Sequence, residues 1–179
     1  MKTRLLTLIA AALTLAPIAA TRAQTSISVA GGLSIPVGTL GNVTDIGYSA
    51  SAGLNLGAPI VPVGARLEIA YAAMGAQRGS GDIGILSGTA NAIFNISPAR
   101  DAPYIIAGLG VYNRRTSISL GTATATDSRT AVGINGGAGL RFPLSGLSTY
   151  FEARYHLMLG NANEGTNYQF IPITFGITF

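Results

Sequence analysis

The feature that most constrains the fold is a regular alternation of apolar and polar residues in segments of about 11 or 12 residues. Charged residues follow the same alternation. Arg66 and Glu68 share one face of one segment, and Glu152 and Arg154 share one face of another, while the opposite faces carry no charge. Successive side chains of a β-strand point to opposite sides of the sheet. The alternation therefore predicts strands with one apolar face, and no helical period of 3.6 residues competes with it after residue 23.

Eight such segments lie between turn-forming residues, at 26–36, 47–57, 63–74, 83–96, 104–115, 130–141, 149–159 and 168–179. The exceptions on their apolar faces are uncharged: Gly31, Gly88, Gly136 and Thr149. Short connections that contain proline alternate with mostly longer ones rich in Gly, Ser, Thr and Asn, which lie at 37–46, 75–82, 116–129 and 160–167. This arrangement predicts an all-β fold, an eight-stranded antiparallel up-and-down transmembrane β-barrel.

Residues 1–23 differ from the rest of the chain. Lys2 and Arg4 precede an apolar run, and small residues precede Gln24, which together predict a cleaved secretory signal peptide and one barrel domain at 24–179. Without this leader the net charge falls from +4 to about +1, because Lys2, Arg4 and Arg22 are removed. The electrostatic basis for nucleic-acid binding is then lost. The chain has no cysteine, which excludes a disulfide scaffold and thiol chemistry.

Composition points to a membrane. Hydrophobic residues make up 48% of the chain and charged residues 10%, yet no apolar run after the leader reaches the roughly 18 residues of a membrane helix. A closed barrel satisfies its backbone hydrogen bonds within lipid without such a helix. Aromatic residues of the apolar faces fall at two levels, an outer one with Tyr48, Tyr71 and Tyr155 and an inner one with Phe94, Phe142, Phe151 and Phe179.

The last segment has alternating apolar positions and a terminal aromatic residue: Ile171, Ile173, Phe175, Ile177 and Phe179. Together with residues 32–41 and the following Gly47-Tyr48, it resembles the small eight-stranded outer-membrane β-barrel families (OmpA/OmpX-like, outer membrane protein β-barrel domain). The resemblance implies the outer membrane of a Gram-negative-type bacterium. It also implies that the outer-membrane assembly machinery recognises the last strand.

Charged residues on the inward faces are the first candidate site. Arg66 and Glu152 lie at similar heights on strands that run in the same direction, and so do Glu68 and Arg154. We expect two stacked ion pairs, because an eight-stranded barrel is just wide enough to be filled by side chains and buried charges persist when paired. His156 lies on the same face and completes the expected lumen network. A gated ion path along these residues is the alternative.

Catalysis has little support. His156 is the chain's one histidine, so a His-based metal site is not expected. A lipid A-modifying barrel of the deacylase type would need serine where this chain has Met158. Residues 79–84 match GxGxxG but continue as strand instead of opening a helix. We therefore expect no enzyme, no metal and no cofactor.

The outer loops hold mixed charge. Arg78, Arg115 and Arg129 are possible contacts for lipopolysaccharide phosphates at the outer rim. We expect a monomeric integral outer-membrane protein with a side-chain-filled lumen and a structural or surface-interaction role, whose partners are outer-membrane lipid and lipopolysaccharide. One alternative is a narrow channel for ions or small solutes. The other is a soluble periplasmic lipocalin-like carrier, whose apolar faces would point inward.

Overall fold

The computed structural model describes residues 24–57, 62–77, 81–97, 102–120, 123–144, 147–160 and 166–179. Eight strands are present: β1 (Gln24–Val37), β2 (Gly47–Gly57), β3 (Val63–Gly75), β4 (Gly81–Asn95), β5 (Pro103–Leu120), β6 (Ala123–Leu144), β7 (Leu147–Met158) and β8 (Tyr168–Thr178). Each strand pairs antiparallel with the next, and β8 pairs with β1, so the sheet closes. The predicted eight-stranded barrel is confirmed. The predicted leader, residues 1–23, lies outside the described residues.

The largest departure from the predicted boundaries is in β5 and β6. Residues 116–129 were expected to form a loop, but most of them are paired strand, with Thr116 opposite Asp127 and Arg115 opposite Ser128. The expectation of a loop was wrong because it rested on the abundance of Gly, Ser and Thr in this stretch. Much of the stretch alternates apolar residues with serine or threonine, as a strand does, and threonine suits a strand. The hairpin therefore extends past the predicted membrane-crossing segments.

The two faces of the sheet differ in polarity. Large apolar side chains point outward on every strand, and Ile69, Leu109 and Val132 are 62–67% exposed. Most buried polar and charged side chains point inward, as in a barrel surrounded by lipid. A soluble carrier would have the opposite arrangement, so that alternative is wrong. Among the described residues, no helix is long and apolar enough to cross a membrane.

The barrel has two ends, which we call the loop end and the turn end. The loop end carries the connections β1–β2, β3–β4, β5–β6 and β7–β8, and the turn end carries the other three. Apolar side chains fill the lumen near the loop end and form the loop-end cluster: Leu40, Ala72, Met74, Ile83, Ile85, Tyr112, Met158 and Phe170. A smaller turn-end cluster contains Ile93, Tyr104, Ile106 and Tyr150. The polar lumen residues lie between these two layers.

The first connection at the loop end folds over the barrel mouth. It contains one helical turn, α1 (Gly38–Gly41), which starts at a glycine with φ of +54° and directs Leu40 into the loop-end cluster. The backbone oxygen of Leu40 accepts a hydrogen bond from Thr44 Oγ1 at 2.8 Å. Gln77, beyond the end of β3, donates to the backbone oxygen of Thr44 at 3.0 Å. These bonds hold Leu40 over the lumen, where it is fully buried.

Candidate functional site

The candidate site is formed by two opposite walls of the barrel. β3 and β7 are four strands apart in either direction around the closed sheet, and both run from the turn end to the loop end. Residues two apart on a strand share a face. Arg66 and Glu68 therefore project from one wall at two successive levels, and Glu152 and Arg154 project from the other wall toward them.

The four side chains meet in the lumen and form what we call the charge ring: Arg66, Glu68, Glu152 and Arg154. Arg66 Nη1 lies 3.0 Å from Glu152 Oε2, and Arg154 Nη2 contacts Glu68 Oε1. Each arginine also reaches the other acid, since Arg154 Nε is 2.8 Å from Glu152 Oε1 and Arg66 Nη1 is 3.7 Å from Glu68 Oε2. Opposite charges thus alternate around the ring, and the side chains are at most 5% exposed.

Uncharged neighbours satisfy further hydrogen bonds of the ring. Asn55 Oδ1 accepts from Arg66 Nε at 2.8 Å, and the Tyr104 hydroxyl donates to Glu152 Oε2 at 2.5 Å. The Arg66 guanidinium also lies over the ring of Tyr150, 5.0 Å from its centroid. Attraction between buried charges offsets their loss of hydration only when the remaining donors and acceptors are also bonded. The ring largely meets this condition and holds β3 against β7.

Tyrosine side chains on the turn-end side of the charge ring pack against glycines, and the sequence analysis did not assign these tyrosines to the site. Tyr104 is paired directly with Gly139, and Tyr150 with Gly176. A Cβ atom added to either glycine would collide with the facing tyrosine ring. The glycines therefore leave room for each tyrosine ring to pack over the neighbouring strand of the barrel wall. A sequence signal could have identified this layer: an aromatic residue on the inward face of a strand whose neighbour in the sheet is rich in glycine.

His156 lies on the loop-end side of the charge ring and is 2% exposed. Its Nδ1 atom is 3.0 Å from the Tyr112 hydroxyl, and its ring stacks on Phe170 with centroids 4.8 Å apart. Met158, two residues further along β7, is buried in the loop-end cluster. Within the ranges that the structure describes, no three His, Asp or Glu side chains are grouped to hold a metal ion.

Two of the three predicted outer-rim arginines, Arg115 and Arg129, lie on opposite faces of the β5–β6 hairpin. Arg115 is exposed, and by alternation its side chain is on the outward face of β5. Arg129 is paired with Arg114, and both lie on the face of the hairpin opposite to Arg115. The Nε atom of Arg129 lies 2.9 Å from Asp127 Oδ2. Arg78 lies outside the described residues. Arg114, which the sequence analysis did not select, lies over the Tyr168 ring at 4.2 Å from its centroid.

The alternating residues at the end of the chain form one outward row along β8 and the residue that follows it: Ile171, Ile173, Phe175, Ile177 and Phe179. Phe175 and Phe179 are exposed, and Phe179 is 68% exposed. Two backbone hydrogen bonds join Phe179 to Ile27 of β1, at 2.8 and 3.1 Å. The row therefore lies along the seam at which the barrel closes.

Comparisons with known proteins agree with the barrel fold. The sequence matches the family of the outer membrane protein beta-barrel domain over residues 6–179. No curated protein matches it significantly. Neisserial surface protein A has a similar structure, with 18% identity, a TM-score of 0.62, and 87% of this chain and 97% of that chain covered.

Two other solved structures show the same architecture. Ail, the attachment invasion locus protein of Yersinia pestis, has 20% identity and a TM-score of 0.52, with 89% of this chain and 100% of that one covered. A major outer membrane protein from Thermus thermophilus has 14% identity and a TM-score of 0.55, with 87% and 99% covered. At these identities the likeness establishes a shared fold.

Proposed function

Because the chain belongs to the outer membrane protein β-barrel family, and is therefore an outer-membrane protein, we propose that it acts as a closed, non-conducting barrel with a structural or surface-interaction role. The observation that carries this proposal is the layered lumen. A ring of four buried charges spans the width of the barrel, with an apolar cluster on either side. Catalysis is not part of the proposal.

The layers argue against an ion path. A conducting ion needs water or polar groups along its whole route, and an apolar constriction closes a pore by excluding water. Leu40, Tyr112 and Tyr104 are fully buried, the first two in the loop-end cluster and the third in the turn-end cluster. The arginines and glutamates of the ring neutralise one another and leave no excess charge to select an ion.

The surface role rests on the outer rim and the lipid-facing band. The β5–β6 hairpin carries Arg115 on its outward face, where a guanidinium can donate paired hydrogen bonds to a lipopolysaccharide phosphate. Tyr48, Tyr71 and Tyr155 are exposed on the lipid face, as residues of an interfacial aromatic band are. The proposed partners are therefore outer-membrane lipid and lipopolysaccharide, and the proposed oligomeric state is a monomer.

Planar-bilayer recording tests the closed lumen. The purified protein is reconstituted into planar bilayers, and a known porin recorded separately under the same conditions is the positive control for insertion and detection. We expect no regular current steps from the wild type after insertion has been verified by protease protection of the reconstituted chain. Regular steps that change in size when Arg66 is replaced by glutamine would show that ions pass the charge ring and would establish the channel instead.

Binding of lipopolysaccharide tests the surface role. Thermal unfolding in detergent is followed with added lipopolysaccharide and with a dephosphorylated sample of the same material. We expect the phosphorylated form to raise the unfolding temperature more, and Arg115→Gln to reduce that difference. Equal shifts with the two samples, or no effect of Arg115→Gln, would contradict a phosphate contact at this arginine.

A further inference from the structure

A small cavity lies in the lumen between the charge ring and the loop-end cluster. Its volume is about 20 Å³, and its inward-facing polar wall is formed by Ser49, Ser51, Ser87, Arg154, His156 and Thr174. Phe170 of the loop-end cluster also lines it. The cavity thus lies where the polar interior meets the apolar layer beneath the barrel mouth.

Three polar atoms of this wall have no hydrogen-bond partner among the residues that the structure describes: Ser49 Oγ, Arg154 Nη1 and His156 Nε2. Their residues are only 7%, 5% and 2% exposed. Leaving a buried donor or acceptor unbonded is unfavourable, because the group has lost its hydrogen bonds to water and gained none within the protein. Three such atoms around one cavity point to a ligand that bonds all of them.

Two other hydroxyls of the same wall are already bonded within the protein. Ser87 Oγ donates to the backbone oxygen of Ala70 at 3.4 Å, and Thr174 Oγ1 donates to that of Glu152 at 3.5 Å. The unbonded atoms are therefore a specific subset of the wall. They come from two strands that are not neighbours in the sheet, β2 for Ser49 and β7 for Arg154 and His156.

Size and charge identify the ligand. A cavity needs roughly 10–15 Å³ to hold one water molecule, and buried waters typically make about three hydrogen bonds. The neighbouring ring contains two arginines and two glutamates, so it calls for no additional counter-ion. We propose that this cavity binds a single water molecule, which accepts a hydrogen bond from Arg154 Nη1 and also bonds Ser49 Oγ and His156 Nε2.

This water would make the polar interior continuous. Arg154 belongs to the charge ring, and His156 Nδ1 is already within 3.0 Å of the Tyr112 hydroxyl. A water between Arg154 and His156 links the ring to Tyr112 in the loop-end cluster. A hydrogen bond between this water and Nε2 also fixes the orientation of the His156 imidazole.

A high-resolution crystal structure of the wild-type protein, with a second crystal soaked in bromide, tests the proposal. We expect one peak of the size of water within hydrogen-bond distance of Ser49 Oγ, Arg154 Nη1 and His156 Nε2, and no anomalous bromide signal there. Absence of density in the cavity would overturn the proposal. An anomalous peak at this position would overturn it too, because it would identify an anion site.

Two matched variants locate the water. Ser49→Val removes one partner and adds a methyl group to the cavity, so the peak should disappear. Ser28→Val makes the same change at another buried lumen serine, whose hydroxyl is bonded to the Gly53 backbone oxygen at 3.4 Å, and the peak should remain. A peak that persists in Ser49→Val would contradict the assigned site. If that variant does not fold, the wild-type density decides alone.

Discussion

The hydroxyl of Tyr104 donates a hydrogen bond to Glu152 Oε2 across 2.5 Å and thereby joins the turn-end cluster to the charge ring. Glu152 also receives bonds from Arg66 and Arg154, so three side chains from three strands converge on one carboxylate. Because the Glu152 carboxylate binds three side chains, substitutions there and at Tyr104 should lower the stability of the barrel.

Glu152→Gln should destabilise the folded barrel strongly. It removes one of the two negative charges and leaves Arg66 and Arg154 buried with Glu68 as their remaining acid. Breaking a buried pair by removing one partner costs about 3–5 kcal/mol. The free energy of unfolding is measured by urea titration of protein refolded into lipid vesicles.

Asp127→Asn is the matched control for Glu152→Gln. Asp127 also pairs with an arginine, Arg129, but their side chains are 60% and 50% exposed. An exposed ion pair contributes about 0–1 kcal/mol. Equal losses of stability in the two variants would mean that burial does not set the strength of the charge ring.

Tyr104→Phe should reduce the free energy of unfolding by about 1.5–3 kcal/mol, the usual contribution of a hydrogen bond to a charged group. The aromatic ring of residue 104 stays in place over Gly139, so the loss of stability reports the hydroxyl alone. Tyr71→Phe removes a hydroxyl on the lipid face and serves as the comparison, with an expected change within about 0.5 kcal/mol. The same urea titration applies, and similar losses at both positions would count against the bond to Glu152.

Gly139→Ala should lower stability by about 1–3 kcal/mol, because the added methyl overlaps the Tyr104 ring and must displace it. Gly88→Ala is the control, since a Cβ at Gly88, which faces outward on β4, meets no atom within 4 Å. That change should be neutral or slightly stabilising. Heat-modifiable gel mobility gives the unfolding temperature of each variant, and an equal fall for both would show that the tyrosine contact is unimportant.

Leu109→Lys should cost about 2–4 kcal/mol, as a lysine facing the middle of the bilayer does in such barrels. Leu109 lies near the centre of the membrane-crossing part of β5 and is 67% exposed on its lipid face. Val43→Lys introduces the same charge in the exposed first connection, where Val43 is 50% exposed, and should be nearly neutral. Folding yields into vesicles at increasing urea measure both, and a tolerated lysine at 109 would contradict the assigned lipid face.

Phe179→Ala should lower the amount of folded protein in the outer membrane, if the outward row of β8 is the assembly signal. Phe94→Ala changes another exposed aromatic residue of the lipid face, on β4, and controls for the loss of apolar surface. The folded fraction in cells is compared with refolding of the purified variants. A defect that is equal in both variants, or equal in cells and in purified protein, would show that Phe179 has no special role in assembly.

Alternation was sufficient to predict the strand count, the faces and the bounds of β2, because lipid and lumen impose opposite polarity on successive residues. It was not applied at residues 116–129, where the abundance of Gly, Ser and Thr was taken to indicate a loop. It also missed Leu40, since a single turn of helix leaves no periodic signal. Tyr104 and Tyr150 were not assigned to the site because their partners depend on strand register, which alternation alone does not determine.

The charge ring joins strands that share no backbone hydrogen bonds. The two arginine–glutamate pairs that cross the lumen join residues 86 apart in the chain, and β3 and β7 face each other across the barrel. An incompletely curled sheet would lack both of these pairs and leave each arginine only the glutamate of its own strand. The ring therefore forms only as the sheet closes, which favours a single concerted folding transition. Separation of the β1–β8 seam would break the same pairs. The charge ring in the middle of the lumen therefore opposes partial opening of the folded barrel.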